Sequence, residues 1–391
     1  MVKIVLGRGE DKRIRGGHQW VFSNEIREIS GERKPGDAAE IYNAGGAFIG
    51  TGYYNPGSLI AARVMARSRV DIDSADFYRK RITSALALRT LLYPGLETFR
   101  LVHGEGDFLP GLVVDKYDDF LSVQFLTRGM DSRKDLITGV LLELLSPLGI
   151  VSRNDVSVRS LEGLEETVEI LCGELPEHLE IGEHSLRFRV DLLHGQKTGH
   201  FLDQKDNHLL LKERSNGKKV LDCFSYSGSW GVHAAAFGAA EVTCVDISER
   251  AVALARENAA LNGFDRIVKC EEADVFERLR GLKSEGKSFD VIVMDPPAFI
   301  KNRKVLKEAM KGYHTINRRA MELLSPDGYL ITCSCSYHME REMFRELLAS
   351  AAQQAGREMR LIEVRSQAPD HPVLLAMPET EYLKCFVLRA V

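Results

Sequence analysis

The stretch VLDCFSYSGSWG, Val220 to Gly231, decides the fold. Val220, Leu221 and Phe224 bracket Asp222 and read as a short buried strand. Ser227-Gly228 then makes a turn, and GVHAAAFGA from Gly231 to Ala239 opens a helix. Strand, tight turn and helix form the first βα unit of a doubly wound sheet, where ligands sit beyond the carboxyl ends of the strands. The turn is not G-x-G-x-x-G, and no phosphate loop with a lysine is present. One glycine with an acid inside the strand suits a cofactor that has an adenosyl group but no phosphate, such as S-adenosylmethionine. The motif alone does not separate this reading from an ordinary βα turn of any α/β protein.

Downstream, EVTCVDIS ends a second strand on Asp246, 18 residues past Gly228. An acid there is placed to accept the hydrogens of both ribose hydroxyls. Tyr226 and Gly228 in the turn, and Ile247 beside the acid, join Asp246 as candidate cofactor contacts. Ser248 caps a helix, ERAVALARENAALN, that Gly263 closes. After RIVKCEEA comes Asp274, an acid for the exocyclic adenine amine, with Val275 and Phe276 as apolar cover. Acids at three successive strand ends (Asp222, Asp246 and Asp274) make a constellation that unrelated loop acids do not. Upstream, Phe201, Asp203, Gln204 and Asn207 crowd a helix start, where polar groups can hold the zwitterionic end of the cofactor. Simple N-capping would explain Asp203 or Asn207, not the whole group.

The chemistry falls to the fourth and fifth strands. FDVIVMDPPAF carries Asp295 into two prolines that fix the backbone beyond the strand, and the loop can grip a planar ring against Phe299. A helix near 309–324 follows, and then YLITCSCSYHM as the fifth strand. Strand alternation puts Cys333 and Cys335 on one face, with Cys335 nearer the ligand-binding end. A thiolate there has a use. Carbon 5 of a pyrimidine is a poor nucleophile, and cysteine addition to carbon 6 makes an enamine-like intermediate that can attack a methyl group. The bland fate of a cysteine is to be a small buried hydrophobe, which is the reading for Cys172, Cys223, Cys244, Cys270 and Cys385.

The 391 residues allow two or three domains, and 44% hydrophobic with 28% charged residues is a globular balance. No run of 18 apolar residues or signal-peptide core is present, so no membrane association is expected. Seven scattered cysteines fit a reducing cytoplasm, and no pair of C-x-x-C motifs offers a metal site. Net charge is −4, so nucleic-acid binding would need local patches. Residues 1–70 read as a small β domain with eleven Lys/Arg against seven Asp/Glu. Arg8, Lys12, Arg13, Arg15, His18 and Trp20 crowd its start, a mixture suited to phosphate contact and base stacking, or to a merely solvated basic face. Residues 71–185 read as an α+β module. It has a helix over 74–92 (apolar Phe77, Ile82, Leu86, Leu88 and Leu91), three strand-like runs in 99–126, a helix over 132–145 and a strand near 150–160. The doubly wound domain occupies 186–391. Lys301, Arg303 and Lys304 are a second basic group for phosphate contact.

At these residues the chain resembles the family of large-subunit ribosomal RNA methyltransferases that make 5-methylcytosine in 23S rRNA. GHQWVFSNEI and Gly52 to Pro56 resemble its N-terminal PUA domain, an RNA-binding module, and HGEGDFLPGLVVDKY resembles its central domain. QKTGHFLDQKDN, LDCFSYSGSWGVHAAAFGA, DPPAF and TCSCS resemble its Rossmann-like catalytic domain. The resemblance implies S-adenosylmethionine as cofactor, bound through Phe201, Gln204, Asp222, Asp246, Asp274 and Asp295, large-subunit rRNA as partner and Cys335 as nucleophile. No metal is expected from the sequence, and a homodimer is a possible assembly. His208 departs from the family, where an arginine is expected after the DQ-x-D-N run. No second cysteine stands beside the DPP prolines, so Asp295 or water must take the carbon 5 proton. Two other readings remain open: methylation of a base nitrogen without covalent catalysis, and a non-enzymatic RNA-binding assembly factor.

Overall fold

The computed structural model describes residues 1–299 and 306–391. The chain forms two compact units, and the first comprises Met1–Gly182, Val190–Leu202 and Pro369–Thr380. Its first part holds β1 (Val2–Leu6), α1 (Asp11–Arg15), β2 (Trp20–Val21), β3 (Ile26–Ser30), β4 (Ala38–Tyr42), β5 (Phe48–Tyr54) and β6 (Ala62–Ala66). These strands make one sheet in the order β2-β6-β5-β4-β1-β3, with β1 and β4 parallel. Alternation along β1 and β4 buries Ile4, Leu6, Ala39 and Ile41 with Ile14 of α1. Gly52 lets β5 cross β6 closely, because a Cβ there would lie 1.9 Å from the Arg63 carbonyl oxygen.

The second part holds α2 (Ala75–Leu92), β7 (Thr98–His103), β8 (Leu112–Tyr117), β9 (Phe120–Phe125), α3 (Arg128–Asp131), α4 (Lys134–Leu145), β10 (Gly149–Arg153) and β11 (Val168–Gly173). The sheet runs β11-β10-β9-β8-β7, and the parallel pair β9–β10 is bridged by α3 and α4. The buried face of α2 is Tyr78, Ile82, Ala85 and Arg89, while Leu91 is 78% exposed, so the predicted stripe was turned. Arg89 made the difference: its guanidinium is buried, forks onto Asp107 and donates to the Asp370 carbonyl at 2.7 Å. The strand expected near 150–160 ends at Arg153, and β11 was not foreseen. A buried carboxylate joins the two sheets of this unit. Glu162 accepts from Asn55 and Ser58, each at 2.7 Å, and pairs with Arg63 at 2.9 Å.

A hairpin of β12 (Leu179–Glu183) and β13 (Leu186–Val190) leads into the second unit, Glu183–Arg189, Asp203–Ala368 and Glu381–Val391. Its elements are α5 (Lys205–His208), β14 (Lys219–Cys223), α6 (Ser229–Ala236), β15 (Glu241–Asp246), α7 (Glu249–Leu261), β16 (Val268–Glu272) and α8 (Val275–Ser284). They are followed by β17 (Phe289–Met294), α9 (Leu306–Leu323), β18 (Leu324–Ser334), α10 (Arg341–Ala355), β19 (Met359–Arg365) and β20 (Lys384–Ala390). The seven strands order as β16-β15-β14-β17-β18-β20-β19, with β20 antiparallel to its neighbours. Order reverses between β14 and β17, which is where a doubly wound sheet opens its ligand crevice. Ile292, Met294, Leu330, Tyr313 and Phe344 are among the side chains that bury one face of this sheet under α9 and α10. The boundaries differ from those read in the sequence at three points. Phe224 lies past β14, α6 begins at Ser229, and β18 begins at Leu324 and stops one residue short of Cys335.

Candidate active site

The turn after β14 is a strained loop. Phe224 (φ 61°) and Tyr226 (φ 44°) are left-handed without being glycine, and Gly228 (φ 76°) starts α6. The loop is over-determined by its surroundings. Ser225 N–H donates to the Val245 carbonyl at 3.1 Å, and Asn258 Nδ2 donates to the Ser227 carbonyl at 3.0 Å. Tyr226 N–H donates to Asp246 Oδ2 at 2.9 Å, and Ser248 N–H donates to Asp246 Oδ1 at 3.0 Å. Asp246 therefore sits on the rim with each oxygen holding one backbone donor. A carboxylate has about four acceptor positions, so two remain for a ligand's hydroxyls. Ile247 beside it is 68% exposed, an apolar side chain left on the crevice side of a strand end.

Three further candidates also have roles in the fold. Asp222 is fully buried and its Oδ2 accepts from Gly231 N–H at 3.1 Å, which ties β14 to α6. Burial in that apolar strand pushes its carboxyl well above the usual range. Asp274 is exposed but caps α8, accepting from Glu277 N–H at 3.0 Å. Val275 is 3% exposed and belongs to the core, which leaves the half-buried Phe276 to supply apolar cover.

Asp295 follows β17 directly. Its Oδ2 accepts from Gln204 Nε2 at 3.0 Å and from Trp230 Nε1 at 3.2 Å. Burial raises its carboxyl to about 6 against those two donors, and neighbouring Asp203 adds to the rise. Gln204 is itself fixed, because its Oε1 accepts from Asn207 Nδ2 at 2.7 Å. Asp203 accepts from the Tyr382 hydroxyl at 2.6 Å. The cluster before α5 thus stands next to Asp295 in the second unit. Phe201 belongs to the first unit, where Lys197 Nζ lies 4.5 Å from the centre of its ring.

Cys335 lies past the end of β18, half-buried, with Sγ 3.9 Å from the Pro296 carbonyl oxygen. Strands β17 and β18 are parallel neighbours with Met294 opposite Thr332, so the cysteine and the Asp295-Pro296-Pro297 loop leave the sheet side by side. Cys333 is fully buried, and burial pushes its thiol well above the ordinary value. Phe299 packs on Tyr313 at 4.7 Å between centroids, with Phe224 and Phe276 each 6.2 Å away. Sequence reasoning missed Lys384. It is opposite Ser334 on β20, buried, and donates to the Ser336 and Tyr382 carbonyls at 2.8 and 2.7 Å. Burial lowers its ammonium to about 8, although the neighbouring Cys335 acts the other way. No local spacing could have shown it, since strand pairing across 50 residues brings it there.

In the first unit, the basic start is partly spent on the fold. Arg13 holds Glu25 at 2.8 Å, His18 is buried, and Trp20 Nε1 donates to Glu105 at 2.7 Å. The aromatic ring expected to stack on a base is thereby tied down, while Arg8, Lys12 and Arg15 remain exposed. Lys301, Arg303 and Lys304 lie outside the described residues. No described helix is long and apolar enough to cross a membrane.

Comparison with known proteins agrees with this geometry. Residues 152–382 match the S-adenosylmethionine-dependent methyltransferase family, and residues 4–67 match a PUA-like domain. Ribosomal RNA large subunit methyltransferase I of Aeromonas salmonicida is 41% identical over 393 residues, covering 100% of this chain and 99% of the relative. The protein of the same name from Vibrio cholerae is 41% identical, with 99% of each chain covered. A crystal structure of a methyltransferase complexed with SAH shares the fold, with a TM-score of 0.87, 24% identity and complete coverage of both chains. The chain is an S-adenosylmethionine-dependent methyltransferase and belongs to the family of the ribosomal RNA large subunit methyltransferase I proteins.

Proposed function

We propose that this chain methylates carbon 5 of a cytosine in large-subunit ribosomal RNA, with Cys335 as the nucleophile. The observation that carries the reading is the half-buried sulfur of Cys335 beside the Asp295-Pro296-Pro297 loop, at the switch-point end of the sheet. A methyltransferase acting on a ring or exocyclic nitrogen would have no use for a thiol there. The relatives' names supply the ribosomal RNA, and the PUA-like match over residues 4–67 supports it. Exposed Arg8, Lys12 and Arg15 give the first unit its phosphate contacts. Such a substrate places the protein in the cytoplasm. A homodimer, compatible with the sequence, finds no support in the relatives' names.

The strained loop, Asp246 with two acceptor positions left, and exposed Ile247 fit an adenosyl group. In this reading Asp246 holds the ribose, Tyr226 and Gly228 shape the wall, and Gln204 and Asp295 border the transfer end. The bound cofactor supplies an electrophilic methyl group. The Cys335 thiolate, favoured by the Lys384 ammonium, adds to carbon 6 and makes carbon 5 nucleophilic. Carbon 5 forms its bond to the methyl as the donor's methyl–sulfur bond breaks and leaves its electron pair on sulfur, and the Asp295 carboxylate removes the carbon 5 proton. The freed electron pair restores the carbon 5–carbon 6 double bond and expels the thiolate. A carboxyl raised to about 6 is ionised at neutral pH yet more basic than an ordinary aspartate.

RNA carrying 5-fluorocytosine tests the reading, because fluorine cannot leave as the proton does. A covalent complex should survive denaturing gels with native protein and with Cys333→Ala, and should vanish with Cys335→Ala. The Cys335→Ala protein should still bind S-adenosylmethionine. Normal methylation by Cys335→Ala would overturn nucleophilic catalysis and favour a nitrogen target.

A further inference from the structure

Behind the donors to Asp295 lies a buried cluster that the reaction does not use. Glu183 ends β12, His208 ends α5 and His233 lies in α6; they are 3%, 2% and 0% exposed. One ligand atom from each lies within 4.8 Å of the others. His233 Nδ1 is 2.8 Å from the Ser229 carbonyl oxygen, which can only accept, so Nδ1 carries the proton and Nε2 a lone pair. His233 Nε2 has no hydrogen-bond partner among the described residues and faces Glu183 Oε1 at 3.5 Å. Two acceptors thus confront each other in a dry interior with no hydrogen between them, an arrangement that calls for a cation. His208 Nδ1 approaches the same Oε1 at 2.6 Å. This is also the position where the sequence breaks from the arginine expected of its family.

We propose that Glu183, His208 and His233 form a metal site for a borderline divalent cation, zinc above all, with Glu183 Oε1, His208 Nδ1 and His233 Nε2 as ligands. Two imidazoles and one carboxylate are a recognised zinc donor set, with the fourth position left for water. Tetrahedral ligands at zinc stand about 3.4 Å apart, given zinc–ligand bonds near 2.0–2.1 Å. The Oε1–Nε2 separation of 3.5 Å already matches that spacing; the 2.6 Å Oε1–Nδ1 contact must open, and the stacked His208 and His233 rings, 4.7 Å apart, must turn so that both lone pairs converge. Binding requires the His208 tautomer whose proton sits on Nε2, which frees the Nδ1 lone pair for the metal. The second-sphere partner is already in place, since His233 Nδ1 bonds the Ser229 carbonyl and fixes the tautomer. The ion would lock α5 to α6 directly behind the active site. The His208 ring meets Trp230 edge-on at 4.8 Å, and Trp230 is a donor to Asp295. The sequence showed no metal spacing because the three ligands come from separate elements.

The full-length protein, stripped with a chelator and dialysed, is titrated with ZnCl2 by calorimetry and with CoCl2 by visible absorption at neutral pH. One zinc per chain is expected, together with a tetrahedral cobalt spectrum and a higher melting temperature with zinc. His233→Gln and Glu183→Gln should each weaken zinc binding by roughly 100-fold or more and remove the cobalt band. Equal zinc affinity in native protein and both variants, or no zinc bound by native protein, would overturn the proposal. Should a variant fail to fold, native protein decides alone: a tetrahedral cobalt band supports the site, and its absence refutes it.

Discussion

Replacing Asp295 with asparagine should make the ligand-free protein more stable while abolishing turnover. The carboxyl of Asp295 is raised from 3.8 to about 6 by burial. In the unfolded chain it loses its proton near the ordinary value, whereas in the fold it keeps the proton to about 6. Stability is therefore lost as pH rises between those two values, and the loss is complete above them. Two pH units at 1.36 kcal/mol each give a ceiling of about 3 kcal/mol, and solvent contact with the half-buried side chain trims it. Asparagine carries no such penalty, and its carbonyl can still accept from Gln204 and Trp230. Urea unfolding of native and Asp295→Asn protein, followed from about pH 4 to 8, reads the difference. The two should be nearly equal at pH 4, and the variant should gain 1–3 kcal/mol by pH 7 with no further change above. A difference that is flat across this range, or native protein the more stable at pH 7, would refute the burial argument. Such a gain on removing a functional group is the usual exchange between stability and activity.

Asp246→Ala should weaken S-adenosylmethionine binding by about 1–3 kcal/mol, the range for losing charge-assisted bonds, and unchanged affinity by calorimetry would remove Asp246 from the ribose site. Reversing Arg8, Lys12 and Arg15 to glutamate should weaken RNA binding and lower its salt slope by about 2, leaving cofactor affinity alone; an unchanged slope in filter binding would move the RNA face elsewhere. Gly231→Ala should cost about 1–3 kcal/mol, because the new Cβ would lie 2.3 Å from Cys244 Sγ. A thermal melt identical to native protein would show that β15 can yield there.

The sequence made the strand ends legible because a parallel sheet writes each tip as an apolar run followed by a polar residue. Asp246, Asp295 and Cys335 were found that way. What it could not show is which face of a tip is wet. Asp222 and Val275, picked by residue type and spacing, are both buried. Asp274, expected as a ligand contact, is exposed and also caps a helix. Lys384, like the Glu183–His208–His233 cluster, depends on pairings between distant segments, which leave no local period. In α2, a buried arginine displaced the leucine stripe, because its partner Asp107 and the Asp370 carbonyl are tertiary neighbours. Trp20 looked available for stacking until Glu105 claimed its indole.

The interleaving of the two units in the chain has a consequence for how the protein is made and inherited. The backbone passes from one unit to the other five times, at 182/183, 189/190, 202/203, 368/369 and 380/381. The first unit is completed by residues 369–380, which carry the Asp370 carbonyl that Arg89 needs, after nearly all of the second has been synthesised. During translation that guanidinium must wait for a partner 281 positions away, and closing so long a loop slows the step more than it weakens the product. No single cut frees either unit, so a gene fusion or crossover that exchanged one of them would leave the other without its final segments. Recombination can pass this catalytic apparatus on only as a whole.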